Sequence, residues 1–187
     1  RTIEQLGKAH IAYVLCANIH ENPSKEVVME AASVARENRC DFIVALGGGA
    51  VLDSAVAVAA MATNPGDLWD YVHGGTGKGL PLQQPVLPIV TIATTTGTGS
   101  EINCWGVISN HATNEKIGFG FPELNPVLAV VDPELMRTVP AKYTAYQGFD
   151  ALFHNTEVMI SHFVNVLSET VALSAIEYIA KYLPRAV

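Results

Sequence analysis

The sequence predicts an α/β fold built on a parallel sheet and followed by the opening of an all-helical region. Three observations predict it. Short apolar runs alternate with segments whose apolar residues recur at helical spacing. Two of those runs end directly in glycine- or threonine-rich loops, and after Pro140 no strand candidate remains. At 187 residues, 49% hydrophobic and 16% charged, the chain suits one large domain or one domain with part of a second. It lies far from the composition of disordered chains.

In chain order, "IAYVLC" (11–16) reads as a buried strand. "SKEVVMEAASVAREN" (24–38) follows as a helix with Ser24 as N-cap, two residues after the turn-forming Asn22-Pro23. "DFIVALGGG" (41–49) is a strand running into glycines, and "AVLDSAVAVAAMA" (50–62) a helix with so few polar positions that it should be mostly buried. Residues 63–86 are rich in Gly and Pro and read as an excursion. "LPIVTIAT" (87–94) is another buried strand; "WGVIS" and "KIGFG" read as a hairpin across "NHATNE"; "PVLAVVD" (126–132) is a last strand. Strands alternating with helices imply a parallel sheet covered on both faces. The change of character after "MRTVP" places a boundary near 139–141, with an α/β domain over 1–139 and a helical region over 140–187.

Composition also excludes function classes. A net charge of −7 argues against nucleic acid or an anionic membrane as partner, since either needs clustered Lys and Arg. No apolar run reaches the ~18–20 residues of a membrane span, and "RTIEQLGKAH" lacks a signal-peptide pattern. Cys16, Cys40 and Cys104 are odd in number and widely spaced, which fits buried thiols in a reducing cytoplasm better than a disulfide frame or a Cys-based zinc site.

Three stretches carry chemistry. In "ALGGGAVLD" (45–53), consecutive glycines at a strand end open a helix. That arrangement lets a backbone approach a pyrophosphate and offers it free N–H groups and the helix dipole, although a tight strand-to-helix turn uses glycine for the same reason. "TIATTTGTGSE" (91–101) ends the next strand with hydroxyls from Thr94, Thr95 and Thr98 and amides at Gly97 and Gly99. Strands of a parallel sheet deliver their loops to one edge, where ligands collect. A polar turn would explain one such loop; two in one sheet favour a cofactor cradle. In "GFDALFHNTE" (148–157), Asp150 and His154 stand four apart and project from one helical face, with Glu157 extending it. The pair suits either a metal ion or a simple Asp–His hydrogen bond. His10, His20, His73, His111 and His162 show no matching spacing and read as surface or loop residues.

Together these stretches resemble the iron-containing (group III) alcohol dehydrogenase family, over essentially the whole chain and in order. "HENPS" resembles its Asn-Pro turn, "CDFIVALGGGAVLDSA" its glycine-rich block and "TTTGTGSE" its threonine-rich block. "VVDPELMRTVP" then precedes "GFDALFHNTE" as the corresponding blocks do in the family. The resemblance implies a dinucleotide-binding domain followed by a helical domain, with the active site between them. It implies that Gly48, Gly49 and Ala50 cradle the pyrophosphate of NAD or NADP, with Asp53 near the nicotinamide-side ribose or holding the loop. Thr94, Thr95 and Thr98 would line the nicotinamide half, and Asn22, Asn103, Lys116 and Leu135 would make further cofactor contacts. Asp150 and His154 match two of four ligands to Fe2+, or sometimes Zn2+. The implied reaction is metal-dependent hydride transfer between a small alcohol or aldehyde and the nicotinamide, in a cytoplasmic homo-oligomer such as a dimer.

Ala50 replaces the family's usual Ser and Val56 its usual Lys, which would remove a hydroxyl and a charge near the cofactor. The family's first strand–helix unit and its last helical region, with two further histidine ligands, have no counterpart here. The chain therefore reads as a central segment of a longer enzyme, and alone as a poor alcohol dehydrogenase. Two alternatives stay open: a glycerol dehydrogenase or dehydroquinate-synthase-like enzyme of the same fold, and an inactive remnant.

Overall fold

The computed structural model of the protein describes residues 2–187. A short helix, α1 (Thr2–Lys8), precedes α2 (Lys25–Glu37), β1 (Ile43–Gly47), α3 (Gly49–Met61) and the single turn α4 (Leu68–Tyr71). Then come β2 (Ile89–Ala93), the pair β3 (Trp105–Asn110) and β4 (Glu115–Gly120), β5 (Leu128–Val130), and the long helices α5 (Ala141–Ile160) and α6 (Val166–Ala186). Strands β1, β2 and β5 form a parallel sheet in that order, with Ile43 opposite Ile89 and Val90 opposite Leu128. The expected α/β fold and parallel pairing are present.

Local chemistry sets the boundaries. Ser24 caps α2 as expected, its side chain accepting from the Val27 N–H at 3.4 Å. Near the other end of that helix, Arg36 donates to the Met61 and Ala62 carbonyls, satisfying acceptors that the end of α3 leaves open. Helix α3 is the central element: Leu52 and Ser54–Met61 are all buried. It packs on β1, β2, α2 and β3. Its interior hydroxyl, Ser54, returns to the Ala50 carbonyl at 2.7 Å, so that hydroxyl is not stranded. A side chain at Gly106 of β3 would place its Cβ 2.5 Å from the Asp53 carbonyl oxygen, so the hairpin meets α3 backbone to backbone there.

The hairpin forms as read, antiparallel from Trp105 opposite Gly120 to Asn110 opposite Glu115. The Gly- and Pro-rich excursion is tightly tied down. Buried Asn64 donates to the Ala60 and Gln84 carbonyls and accepts from the Gln83 and Gln84 amides. Trp69 and Tyr71 are buried packing residues, and the Trp69 indole N–H donates to Glu115 at 2.8 Å.

Four expectations need correction. Residues 11–16 form no strand: they lie exposed, with no ladder partner among the described residues. Apolar alternation supplies the side chains of a strand but not a neighbour to pair with. Among the described residues the sheet is fully covered on one face only: on the other, Val44, Val90 and Ile92 are half-buried and Leu46, Leu128 and Val130 remain exposed. The three cysteines are free, as expected, but none is buried; Cys16 is exposed and the other two are half-buried. Val56, expected near the cofactor, is buried in the core around α3.

Candidate functional site

Gly47 pairs with Ala93 at the ends of β1 and β2, and the Thr94 N–H extends that pairing by donating to the Gly47 carbonyl at 3.0 Å. The loops that follow therefore leave from one sheet edge. Gly48 is the N-cap of α3 and offers no side-chain cap. The amides of Gly49 and Ala50, in the first turn, have no intrahelical acceptor and sit at the positive end of the helix dipole. A Cβ on Gly48 would lie 2.9 Å from Thr95 Oγ1, and one on Gly49 2.8 Å from Thr98 Cγ2. Bare backbone at both positions is what allows the threonine loop to close over the helix start.

Helix α5 supplies the third wall. Gly97 has φ 102°, and a Cβ on it would lie 2.6 Å from the Gln147 carbonyl oxygen and 3.2 Å from Asp150 Oδ2. The Thr96 N–H donates to Gln147 Oε1 at 3.1 Å, and His154 Nδ1 lies 3.0 Å from the Gly97 carbonyl oxygen. Between these parts is an open cavity of about 460 Å³. Gly48–Val51 line it from α3, Thr95, Thr96 and Thr98 from the loop, and Tyr146, Gln147 and Asp150 from α5.

The donor chemistry suits the two groups that the sequence suggests. Uncapped amides and threonine hydroxyls around a cavity suit the oxygens of a pyrophosphate. For a metal, the geometry at His154 is informative. With Nδ1–H donating to the Gly97 carbonyl, Nε2 keeps its lone pair, and it lies 3.9 Å from Asp150 Oδ1. A metal-binding imidazole characteristically has its other nitrogen fixed by such a carbonyl. Glu157 does not extend the set: among the described residues no group of three or more His, Cys, Asp or Glu side chains could hold an ion.

The remaining candidates lie outside the cavity lining. Asp53 Oδ2 accepts from the Val107 N–H at 2.9 Å, while Oδ1 is buried without a partner. Burial pushes the Asp53 carboxyl above the usual carboxylate range, against the opposing pull of the Val107 amide, Ser100 and Lys116. Lys116 Nζ donates to Asn22 Oδ1 at 2.7 Å, tying β4 to the loop before α2. Asn103 braces its own loop, donating to the Gly99 carbonyl and accepting from the Trp105 amide, both at 2.8 Å. Thr94 ends the ladder, and Leu135 sits exposed in a short 3-10 turn.

Sequence reasoning does not single out Val51, Thr96, Tyr146 or Gln147. A signal exists for Gln147, which stands three residues before Asp150 and seven before His154, and so on the same helical face.

Known proteins resemble this chain in sequence and fold. The family model for iron-containing alcohol dehydrogenases matches residues 1–133. The choline dehydrogenase of Bacillus subtilis is 39% identical over 98% of the chain and 45% of its own length. The NAD-dependent methanol dehydrogenase of Bacillus methanolicus is 36% identical over 98% of the chain and 47% of its own length. Among solved structures, an archaeal halo-thermophilic Red Sea brine pool alcohol dehydrogenase superposes with a TM-score of 0.93 at 32% identity, covering 98% of this chain and 47% of that one. Sulfoacetaldehyde reductase from Bifidobacterium kashiwanohense, in complex with NAD+, gives 0.90 at 33% identity, covering 100% and 49%. The chain spans about half the length of these relatives. With the two glycine- and threonine-rich loops on one sheet edge, and the Asp–His helix against them, the chain belongs to the iron-containing alcohol dehydrogenase family.

Proposed function

We propose that this chain contributes the nicotinamide-dinucleotide site and part of the metal site of a metal-dependent NAD(P)-linked alcohol dehydrogenase. The single observation that carries the reading is the shared cavity: the uncapped start of α3, the Thr95–Thr98 loop and Asp150 line one space. The names of the relatives support a small alcohol or aldehyde as substrate. Residues 1–139 would form the dinucleotide-binding domain and 140–187 the beginning of a helical metal-binding domain, in a cytoplasmic homo-oligomer such as a dimer.

Gly48, Gly49 and Ala50 would hold the pyrophosphate through backbone amides, so the Ala50 position loses a hydroxyl but not these donors. Thr95 and Thr98 would face the same ligand, with Thr94 at the strand end beside them. Asp53 would hold the hairpin at Val107 near the nicotinamide-side ribose, with Asn22, Asn103, Lys116 and Leu135 as outer contacts. Asp150 and His154 would supply two metal ligands, His154 oriented by Gly97. When bound, iron or zinc acts as a Lewis acid on the substrate oxygen and the nicotinamide accepts hydride.

The test is calorimetric titration of the chain with NAD+ and NADP+, with Gly48→Val beside it. Binding that is lost in Gly48→Val, while the circular dichroism spectrum is kept, supports the reading. Equal binding by both proteins, or none by the wild type, overturns it.

A further inference from the structure

The loop Thr95–Thr98 touches both halves of the proposed site. Its outer flank packs on Gly48 and Gly49. Its inner flank meets α5 through three contacts: the Thr96 N–H on Gln147 Oε1, Gly97 against the Gln147 carbonyl, and the Gly97 carbonyl on His154 Nδ1. The third contact orients the imidazole, and the first holds the Thr95–Thr96 peptide, which precedes the Gly97 carbonyl by two peptide units. Gln147 is the one α5 side chain among the described residues that accepts from this loop's backbone. It also lines the cavity beside Asp150.

We propose that Gln147 is a positioning residue that couples dinucleotide binding to metal binding. The inference rests on the functional reading above. A dinucleotide seated on the helix start orders the threonine loop from one side. With Thr96 tied to Gln147, that order includes the Gly97 carbonyl and therefore the His154 ring. The metal then binds to a ligand already oriented, so the ordering cost is met once for two ligands. Linkage makes the effect reciprocal: a metal on Asp150 and His154 tightens the dinucleotide by the same factor. Without the Gln147 acceptor, the loop can order over the cofactor while Gly97 and His154 remain independent of it.

The experiment titrates Zn2+ into the full chain, with and without saturating NAD+, and reads zinc occupancy from the His154 imidazole NMR resonances. The quantity compared is the ratio of the two zinc affinities. For the wild type, NAD+ is expected to raise zinc affinity about fivefold, in the range of one half-exposed hydrogen bond. Gln147→Met keeps the side-chain length, removes the acceptor, and brings the ratio to about one whatever its effect on each separate affinity. Gln147→Glu restores an acceptor for Thr96; its charge alters zinc affinity with and without NAD+ alike, so the ratio returns. Independent binding of NAD+ and Zn2+ by the wild type overturns the coupling while leaving the functional reading intact. So does a ratio unchanged in Gln147→Met. Failure of the wild type to bind either probe overturns both.

Discussion

Gly97 shows how much a single residue decides. Its φ is 102°, and a Cβ there would stand 2.6 Å from the Gln147 carbonyl oxygen, so no side chain has a place. Gly97→Ala is expected to cost about 1–3 kcal/mol, checked by urea unfolding, and to release His154 from its carbonyl partner. Glu115 is the counterpart in charge. It accepts from Trp69, from the Thr76 amide and hydroxyl, and from Thr113. Led by the Thr76 and Thr113 hydroxyls, these bonds hold its carboxyl down from 4.5 to about 2. A depressed acid contributes stability above its unfolded value and loses it as pH falls toward the folded one. Glu115→Gln is therefore expected to remove a stability loss seen between pH 4.5 and about 2 in the wild type, measured by acid titration of the denaturation midpoint. Asp53 runs the other way: burial raises it above 3.8, so its ionised form opposes folding. Asp53→Asn keeps an acceptor for Val107 and is expected to be more stable than wild type at neutral pH, with the gain vanishing below pH 3.8.

At the scale of elements, legibility follows locality. Ser24, the periodicity of α2 and the glycine-to-helix turn at Gly48 are written in neighbouring residues, and the sequence shows all three. It also shows the pairing of the two loops, because parallel strands have only one carboxyl edge. What depends on distant partners is not legible. Residues 11–16 have strand composition without a strand to pair with, and Gln147 acquires its role only because Thr96 arrives beside it. The same logic governs Gly106, whose importance lies in the Asp53 backbone 2.5 Å from its missing Cβ. A flexible side chain could move away from an added methyl group; a helix backbone cannot. Gly106→Ala is expected to lower stability by about 1–3 kcal/mol, checked by denaturant unfolding, while Gly118→Ala, with its nearest neighbour 3.8 Å away, should cost less.

For the whole molecule, the decisive feature is the asymmetry of the sheet. Ile89, Thr91 and Ala93 of β2 face the buried side beneath α3. On the opposite side the register aligns two rows across three strands, Val44–Val90–Leu128 and Leu46–Ile92–Val130. All six residues are aliphatic, and Leu46, Leu128 and Val130 are 43%, 54% and 36% exposed. A contiguous aliphatic patch of this kind is rare on a monomer and drives association. β5 adds an open ladder edge beside it. Isolated in solution, residues 1–187 are expected to sediment as concentration-dependent oligomers. Leu128→Lys with Val130→Lys would place charges on the exposed strand without altering the buried face of β2. That double variant should shift sedimentation toward monomer and leave NAD+ binding at the Gly48 cradle unchanged, since the cradle lies at the end of the sheet. A monomeric wild type would mean that the aliphatic rows are too small or too twisted to hold a partner.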